Sequence, residues 1–222
     1  HHRLTTRIAI AQDAAFSFYY PDSLEHLTHL GAELVPWSPL TDTALPDTID
    51  GLYLGGGFPE IFGAELAANQ PLRTQLKHRL QMGLPAYVEC GGLMYLTEAL
   101  VDLAGKTWPM VGLLPTQVRM ESYLTLGYRQ ATANFSTPFL QRGQRVWGHE
   151  FHRSQVTSPP GRPLYALNRY QAAVPHAQEG WQIQQVHASY LHLHWGGCPD
   201  VARNFVQACA RYRQRRATST AN

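Results

Sequence analysis

The stretch PAYVECGGLMYL, residues 85–96, sets a short apolar run against a cysteine and two glycines. Residues 85–88 read as a buried strand ending at Glu89-Cys90, and the spacing from 92 to 100 predicts a helix. The chain must then turn sharply from strand to helix at Cys90. A turn of that kind presents the side chain outward, beside the free N–H groups and positive potential of a helix start, where a thiolate is favoured. Gly91 and Gly92 let the backbone make the turn and come close to a ligand. A buried structural thiol fits the local residues equally well.

Working outward, the same alternation recurs. Residues 7–11, 33–37 and 50–54 read as strands, and 21–30, 64–66 and 72–82 carry helical spacing, with Gly31 suited to the end of the first helix. Strands alternating with helices predict βαβ units and an α/β fold on a parallel sheet. Ligands of such sheets bind at the carboxyl ends of the strands, and both glycine clusters, 55–57 and 91–92, fall there. Beyond residue 105 the pattern changes. Residues 110–114, 124–128, 145–149 and 181–184 are strand-like and separated by turns, which predicts antiparallel additions to the sheet edge. The chain closes on a helix starting at Pro199, with Val201, Phe205, Cys209 and Tyr212 on one face. Arg211, Arg213, Arg215 and Arg216 crowd its last turns and read as a solvated helix end favoured by the dipole.

The 222 residues suit one domain with a sizeable core. A net charge of +2 is too small to argue for nucleic acid or membrane as partner. Apolar runs fall short of the roughly 18 residues a membrane span needs, and no signal peptide is visible. Three cysteines without metal or disulfide spacing suit reduced thiols in a cytoplasmic location. Only 15% of residues are charged, which fits a surface partly covered by another domain. The chain starts with His1-His2 rather than methionine, so we expect a tag or linker remnant at 1–6, a domain over 7–216 cut from a longer protein, and a flexible tail at 217–222.

A cysteine nucleophile needs a base and a site for an oxyanion. Residues 54–59, LGGGFP, offer backbone N–H groups at a neighbouring strand end; they are not a dinucleotide fingerprint, because position 60 is Glu. Among eleven histidines, His192 and His194 stand out within SYLHLHW, two residues apart and so on one face of a strand. No third ligand of suitable spacing makes them a metal site. Gly105-Lys106-Thr107 lacks the first glycine of a phosphate loop, since position 100 is Leu. His149-Glu150-Phe151-His152 spaces its histidines by three, where a zinc protease needs four.

Taken together, RIAIAQDAAFSFYYPDSLEHL, DGLYLGGGFPEIFGAEL, PAYVECGGLMYL, MVGLLP, LGYRQ, GHEFHRS and ASYLHLHW resemble, in order, the glutamine amidotransferase domain of cobyrinic acid a,c-diamide synthases over residues 7 to about 210. The resemblance implies a flavodoxin-like class I glutaminase fold. It implies Cys90 as nucleophile, His192 as the histidine that activates it, and Gly56, Gly57 and Gly91 as the oxyanion site. More loosely, it implies His149, Glu150, Phe151 and His152 as the lining of the glutamine pocket. It implies no cofactor in this domain, with ATP and Mg²⁺ used by an amino-terminal synthetase domain that amidates the a and c carboxylates of a corrinoid. Related acceptors are cobyric acid, a nickel tetrapyrrole and a cell-wall lipid precursor. A docking module without catalysis and an unrelated cysteine hydrolase are the other readings. Two positions depart from the wider class I pattern: Val88 stands where many relatives have Gly, and His194 stands where an acid is usual. That leaves a Cys–His dyad, a triad through His194, or a third member from elsewhere.

Overall fold

A computed structural model describes residues 5–169 and 177–219. The first part of the chain forms β1 (Thr6–Ala11), α1 (Pro21–His29), β2 (Ala32–Trp37), β3 (Gly51–Leu54), α2 (Gly63–Ala68), α3 (Gln70–Gln81), β4 (Ala86–Glu89) and α4 (Gly91–Leu96). There follow β5 (Thr97–Val101), β6 (Thr107–Pro109), β7 (Leu114–Ala133), β8 (Arg145–Val156), β9 (Tyr165–Arg169) and β10 (Ala177–Glu179). The last elements are β11 (Trp181–Ile183), β12 (Val186–Ser189), β13 (His192–Leu193) and α5 (Pro199–Ser219).

One sheet has the order β2-β1-β3-β4-β12-β11, parallel except for the edge strand β11. This is the flavodoxin-like order, whose switch point lies between β1 and β3. Side chains alternate across it. Ile8, Ile10, Tyr53 and Tyr87 pack with Leu27 of α1 and with Val201, Phe205 and Cys209 of α5. Ala9, Ala11, Leu52, Leu54, Ala86 and Val88 face the other way, toward Leu72, Leu76 and Leu80 of α3 and toward α4. Each fully buried leucine of α3 contributes about 2 kcal/mol, which is what holds this otherwise polar helix to the sheet. Because both faces are covered, the central strands read as unbroken apolar runs.

Several expectations need correction. The antiparallel strands do not mainly extend this sheet; β5 to β10 and β13 build a second, seven-stranded sheet organised on the long strand β7. The helix after Cys90 ends at Leu96, and residues 97–101 are strand, because β5 pairs with both β6 and β7. Residues 110–113 are not strand. Their amides donate to the carbonyls of Glu98, Tyr95, Thr97 and Leu96, so this segment satisfies the open carbonyl end of α4. The basic end of α5 is not merely solvated: Arg216 Nη1 donates to Ile49 O at 2.6 Å, and its Nη2 lies 3.0 Å from the buried Asp50 carboxylate. Residues 217–219 continue α5 rather than fraying, and Thr6 pairs with Ala32, so it belongs to the sheet and not to a linker. The remaining residues of both predicted tails, 1–4 and 220–222, lie outside the described residues. Among the described residues no helix is long and apolar enough to cross a membrane.

Candidate active site

Four carboxyl ends of parallel strands meet at one crevice: the loop carrying Phe18 after β1, Gly55–Phe58 after β3, Cys90 after β4, and His192 beyond β12. Cys90 is the turning residue, at φ 44° and ψ −102°, a conformation that costs a non-glycine residue of order 1–3 kcal/mol. The turn is pinned on both sides: Cys90 N donates to Ser189 O at 2.8 Å, and Cys90 O accepts from Met94 N at 3.0 Å. The thiol is 4% exposed, and its Sγ lies 3.7 Å from Phe151 O. It stands at the junction of two cavities. One of about 320 Å³ is lined by Phe18, Gly57, Phe58, Cys90, His149, Phe151 and His192. The other, of about 200 Å³, shares Gly57, Phe58, Cys90 and Phe151, and adds the polar groups of Glu60, His152, Arg153 and Ser154.

His192 enters because β13 pairs with β8, with His192 opposite His149. The two imidazoles stack at 4.8 Å, Phe18 meets His192 edge-on at 5.1 Å, and Tyr20 Oη lies 3.1 Å from His149 Nδ1. His192 Nδ1 is buried and points at Glu89 Oε2, 3.8 Å away, which leaves Nε2 for the cavity side. Glu89 is 2% exposed and firmly held: Leu193 N donates to its Oε1 at 3.1 Å and Tyr53 Oη to its Oε2 at 3.2 Å. Its register is fixed by the backbone, since β4 delivers residue 89 inward and residue 90 into the crevice.

The glycine loop sits directly against these groups. A Cβ on Gly56 would come within 2.5 Å of His192 Cε1, so only glycine leaves room for the ring. A Cβ on Gly91 would lie 2.9 Å from Gly57 N, which brings the amides of Gly57 and Gly91 together beside the thiol. The loop is tied to β1 by Tyr19, whose hydroxyl donates to Ala11 O and accepts from Gly55 N at 3.0 Å.

Electrostatics define the resting state. Burial, then the carboxylates of Glu60 and Glu89, push the Cys90 thiol up to about 12 against the pull of the Gly91 amide. Burial, helped by His149 and His152, lowers His192 to about 3. Burial raises Glu89 to about 7 against the hydrogen bonds from Leu193 N and Tyr53 Oη. At neutral pH the thiol and the imidazole are therefore both neutral. The 3.8 Å contact becomes an ion pair only when the ring takes a proton, and Glu89 then faces the imidazolium.

The segment from His149 to His152 is shared between the two cavities. His149 and Phe151 reach the larger cavity, and Phe151 and His152 the smaller. Glu150 is buried behind them, 2.6 Å from Arg129 Nε and 3.5 Å from His152 Nε2. His194 is the residue the structure does not bring to the site. β13 ends at Leu193, and the half-exposed His194 ring holds Asp22 Oδ2 at 2.6 Å instead. The carboxylate beside His192 is Glu89, which sequence reasoning passed over as a strand end. An acid closing a fully apolar buried strand was the available signal, since glutamates are almost never fully buried unless paired.

Residues 7–199 match the model of the CobB/CobQ-like glutamine amidotransferase domain. The chain is 51% identical over 202 residues to a cobyrinate a,c-diamide synthase of Synechococcus, covering 91% of this chain and 44% of that protein. It is 42% identical over 207 residues to a hydrogenobyrinate a,c-diamide synthase of Streptomyces coelicolor, covering 93% and 41%. It thus spans under half the length of these curated relatives. Its fold is similar to PurLQS of Thermotoga maritima, with TM-score 0.63 and 16% identity over 94% of this chain and 99% of that one. A glutamine amidotransferase of Methylobacillus flagellatus has TM-score 0.52 and 13% identity, over 95% and 94%. With the strand-to-helix elbow at Cys90, the glycine loop and the imidazole at the strand ends of a flavodoxin-like sheet, the chain belongs to the CobB/CobQ-like glutamine amidotransferase domain family.

Proposed function

We propose that this domain hydrolyses L-glutamine to glutamate and passes the ammonia to an ATP- and Mg²⁺-dependent synthetase domain of the same protein, which amidates the a and c carboxylates of a corrinoid in cobalamin biosynthesis. The observation that carries it is the convergence of a strained Cys90, two inward amides and a carboxylate-backed imidazole in one crevice.

Cys90 hands its proton to His192 Nε2 as Sγ attacks the carboxamide carbon. The oxyanion accepts from the amides of Gly57 and Gly91; losing one such donor costs about 3 kcal/mol. His192 returns the proton to the leaving nitrogen, so ammonia departs and a glutamyl thioester remains. Water, deprotonated by the same ring, cleaves the thioester to glutamate and restores the thiol. Glu89 steadies each imidazolium.

Ammonia lost to water is wasted, so the crevice needs a cover. On β7 and β8, Leu126, Tyr128 and Trp147 stand beside Phe151 on one face, all exposed, and the opposing residue of Tyr128 is His149 at the cavity wall. This apolar face, continuous with the crevice, suits the synthetase domain as its occupant. The test is glutamate release by wild type and C90A, with an electrophilic glutamine analogue to label the reacting residue. We expect release and labelling at Cys90 in wild type and neither in C90A; turnover by C90A would refute the mechanism.

A further inference from the structure

The chain passes between its two sheets twice in quick succession before it reaches His192. It leaves the second sheet at Gly180, between β10 and β11, and leaves the first at residues 190–191, between β12 and β13. Glu179 stands at both crossings. It is the last residue of β10, and its half-buried carboxylate reaches the second crossing. Ser189 Oγ donates to its Oε1 at 2.5 Å, and Tyr190 N donates to its Oε2 at 3.1 Å. Ser189 Oγ in turn accepts from Leu191 N at 2.9 Å. Residues 189–191 are thus tied, directly or through one hydroxyl, to a single carboxylate. Hydrogen bonds to an ionised acceptor are about twice as strong as neutral ones.

This connector carries both reacting side chains. Ser189 O accepts from Cys90 N at 2.8 Å, which pins the strained elbow. Tyr190 stacks its ring on His152 at 3.9 Å, and its Oη lies 2.9 Å from Ser154 Oγ. His192 follows directly, and the next amide, Leu193 N, holds Glu89. The thiol and the imidazole come from distant parts of the chain, yet one short backbone segment places both. Glu179 itself lies outside the lining of the two cavities at Cys90.

Resting on the proposed glutaminase reading, we infer that Glu179 is a positioning residue: by clamping residues 189–191 it holds the Cys90 thiol and the His192 ring at their working separation. It acts through Ser189 and Tyr190 and does not meet the substrate. Its loss therefore slows the chemical step and leaves substrate binding nearly unchanged. An apolar side chain there strands Tyr190 N and the Ser189 hydroxyl without their acceptor. A glutamine keeps the shape and one acceptor, and so restores part of the clamp.

The test compares wild type, E179L, E179Q and S189A at pH 8, since burial raises the Glu179 carboxyl to about 7. E179L should lower kcat for glutamate release about 30- to 100-fold, the cost of a misplacement near 1 Å, with KM within about threefold. E179Q and S189A should each lose only about 3- to 10-fold, and E179L/S189A should be no worse than E179L, because both act on one connector. Hydrogen exchange gives a readout independent of turnover. In E179L the amides of Cys90, Tyr190, Leu191 and Leu193 should exchange at least about tenfold faster than in wild type, and those of Leu76 and Leu80 in α3 within about twofold. Should E179L not fold, E179Q and S189A decide, with the same local pattern at about threefold. An unchanged kcat, a rise in KM in place of the fall in kcat, or exchange that quickens equally in α3 overturns the inference. Should wild type release no glutamate, the glutaminase reading fails separately, and the exchange pattern alone decides this one.

Discussion

Replacing Gly56 by alanine tests the geometry most directly. The added Cβ would sit 2.5 Å from His192 Cε1, whereas carbon atoms in contact settle at about 3.5–4.0 Å. Ring or loop must therefore yield by about 1 Å. The ring cannot retreat freely, because His149 stacks on it at 4.8 Å and Phe18 stands edge-on at 5.1 Å. The displacement falls on the distance between Nε2 and the thiol and on the aim of the Gly57 amide. A misplacement of about 1 Å costs about 100-fold in rate, or about 2.7 kcal/mol of barrier. Folding should lose roughly 1–3 kcal/mol, the cost of an overpacked site. The assay is kcat/KM for glutamate release, with a thermal melt to verify folding and G161A as control, since a Cβ there meets no atom of the described residues within 4 Å. A folded G56A protein within twofold of wild type would show that His192 does not work against the glycine loop.

Other consequences can be measured in the same preparation. E89Q should lower kcat by 10- to 100-fold; in wild type, kcat/KM should rise as pH rises through about 7, where Glu89 loses its proton, and E89Q should lose that acid limb. An unchanged limb in E89Q would remove Glu89 from the site. H192A should abolish glutamate release while H194A, whose ring is engaged with Asp22, stays within a few-fold of wild type; the reverse order would mean the base is misassigned. His187 is fully buried against Tyr87, both ring nitrogens lack hydrogen-bond partners among the described residues, and burial lowers its pKa to about 3. Its folded pKa lies below the unfolded value near 6.5, so stability is lost as pH falls from 6.5 toward 3. By pH 5 the loss is about 2 kcal/mol. Urea unfolding should then find H187F more stable relative to wild type at pH 5 than at pH 8 by about that amount, and no pH dependence of the difference would refute it.

The parallel half of the fold was legible because its elements are local. Apolar-rich runs of four or five residues, most with a glycine or proline beside them, marked β1 to β4 nearly to the residue, and the spacing over 72–82 marked α3. The second half was less so. The spacing of residues 92–100 is good for a helix, yet 97–101 pair with strands β6 and β7; a segment with suitable partners on both sides follows them rather than its own propensity. Residues 110–113 likewise look like a strand but serve as acceptors' partners at the end of α4. In the site, Cys90 and the glycines could be read because a tight elbow and a close backbone approach demand particular residue types. Glu89 could not, because its meaning depends on what faces it.

By itself the sequence determined the alternation of strand and helix, the elbow at Cys90 and the membership of a family whose members share these segments. Only the tertiary structure decided which acid stands behind His192 and why His194 is elsewhere. It also decided that Cys90 opens onto two cavities of different character. The physical reason is range. Backbone conformation follows from neighbours a few residues apart, whereas the charge and proton affinity of a buried group follow from partners about 100 residues away, as Glu89 and Leu193 are.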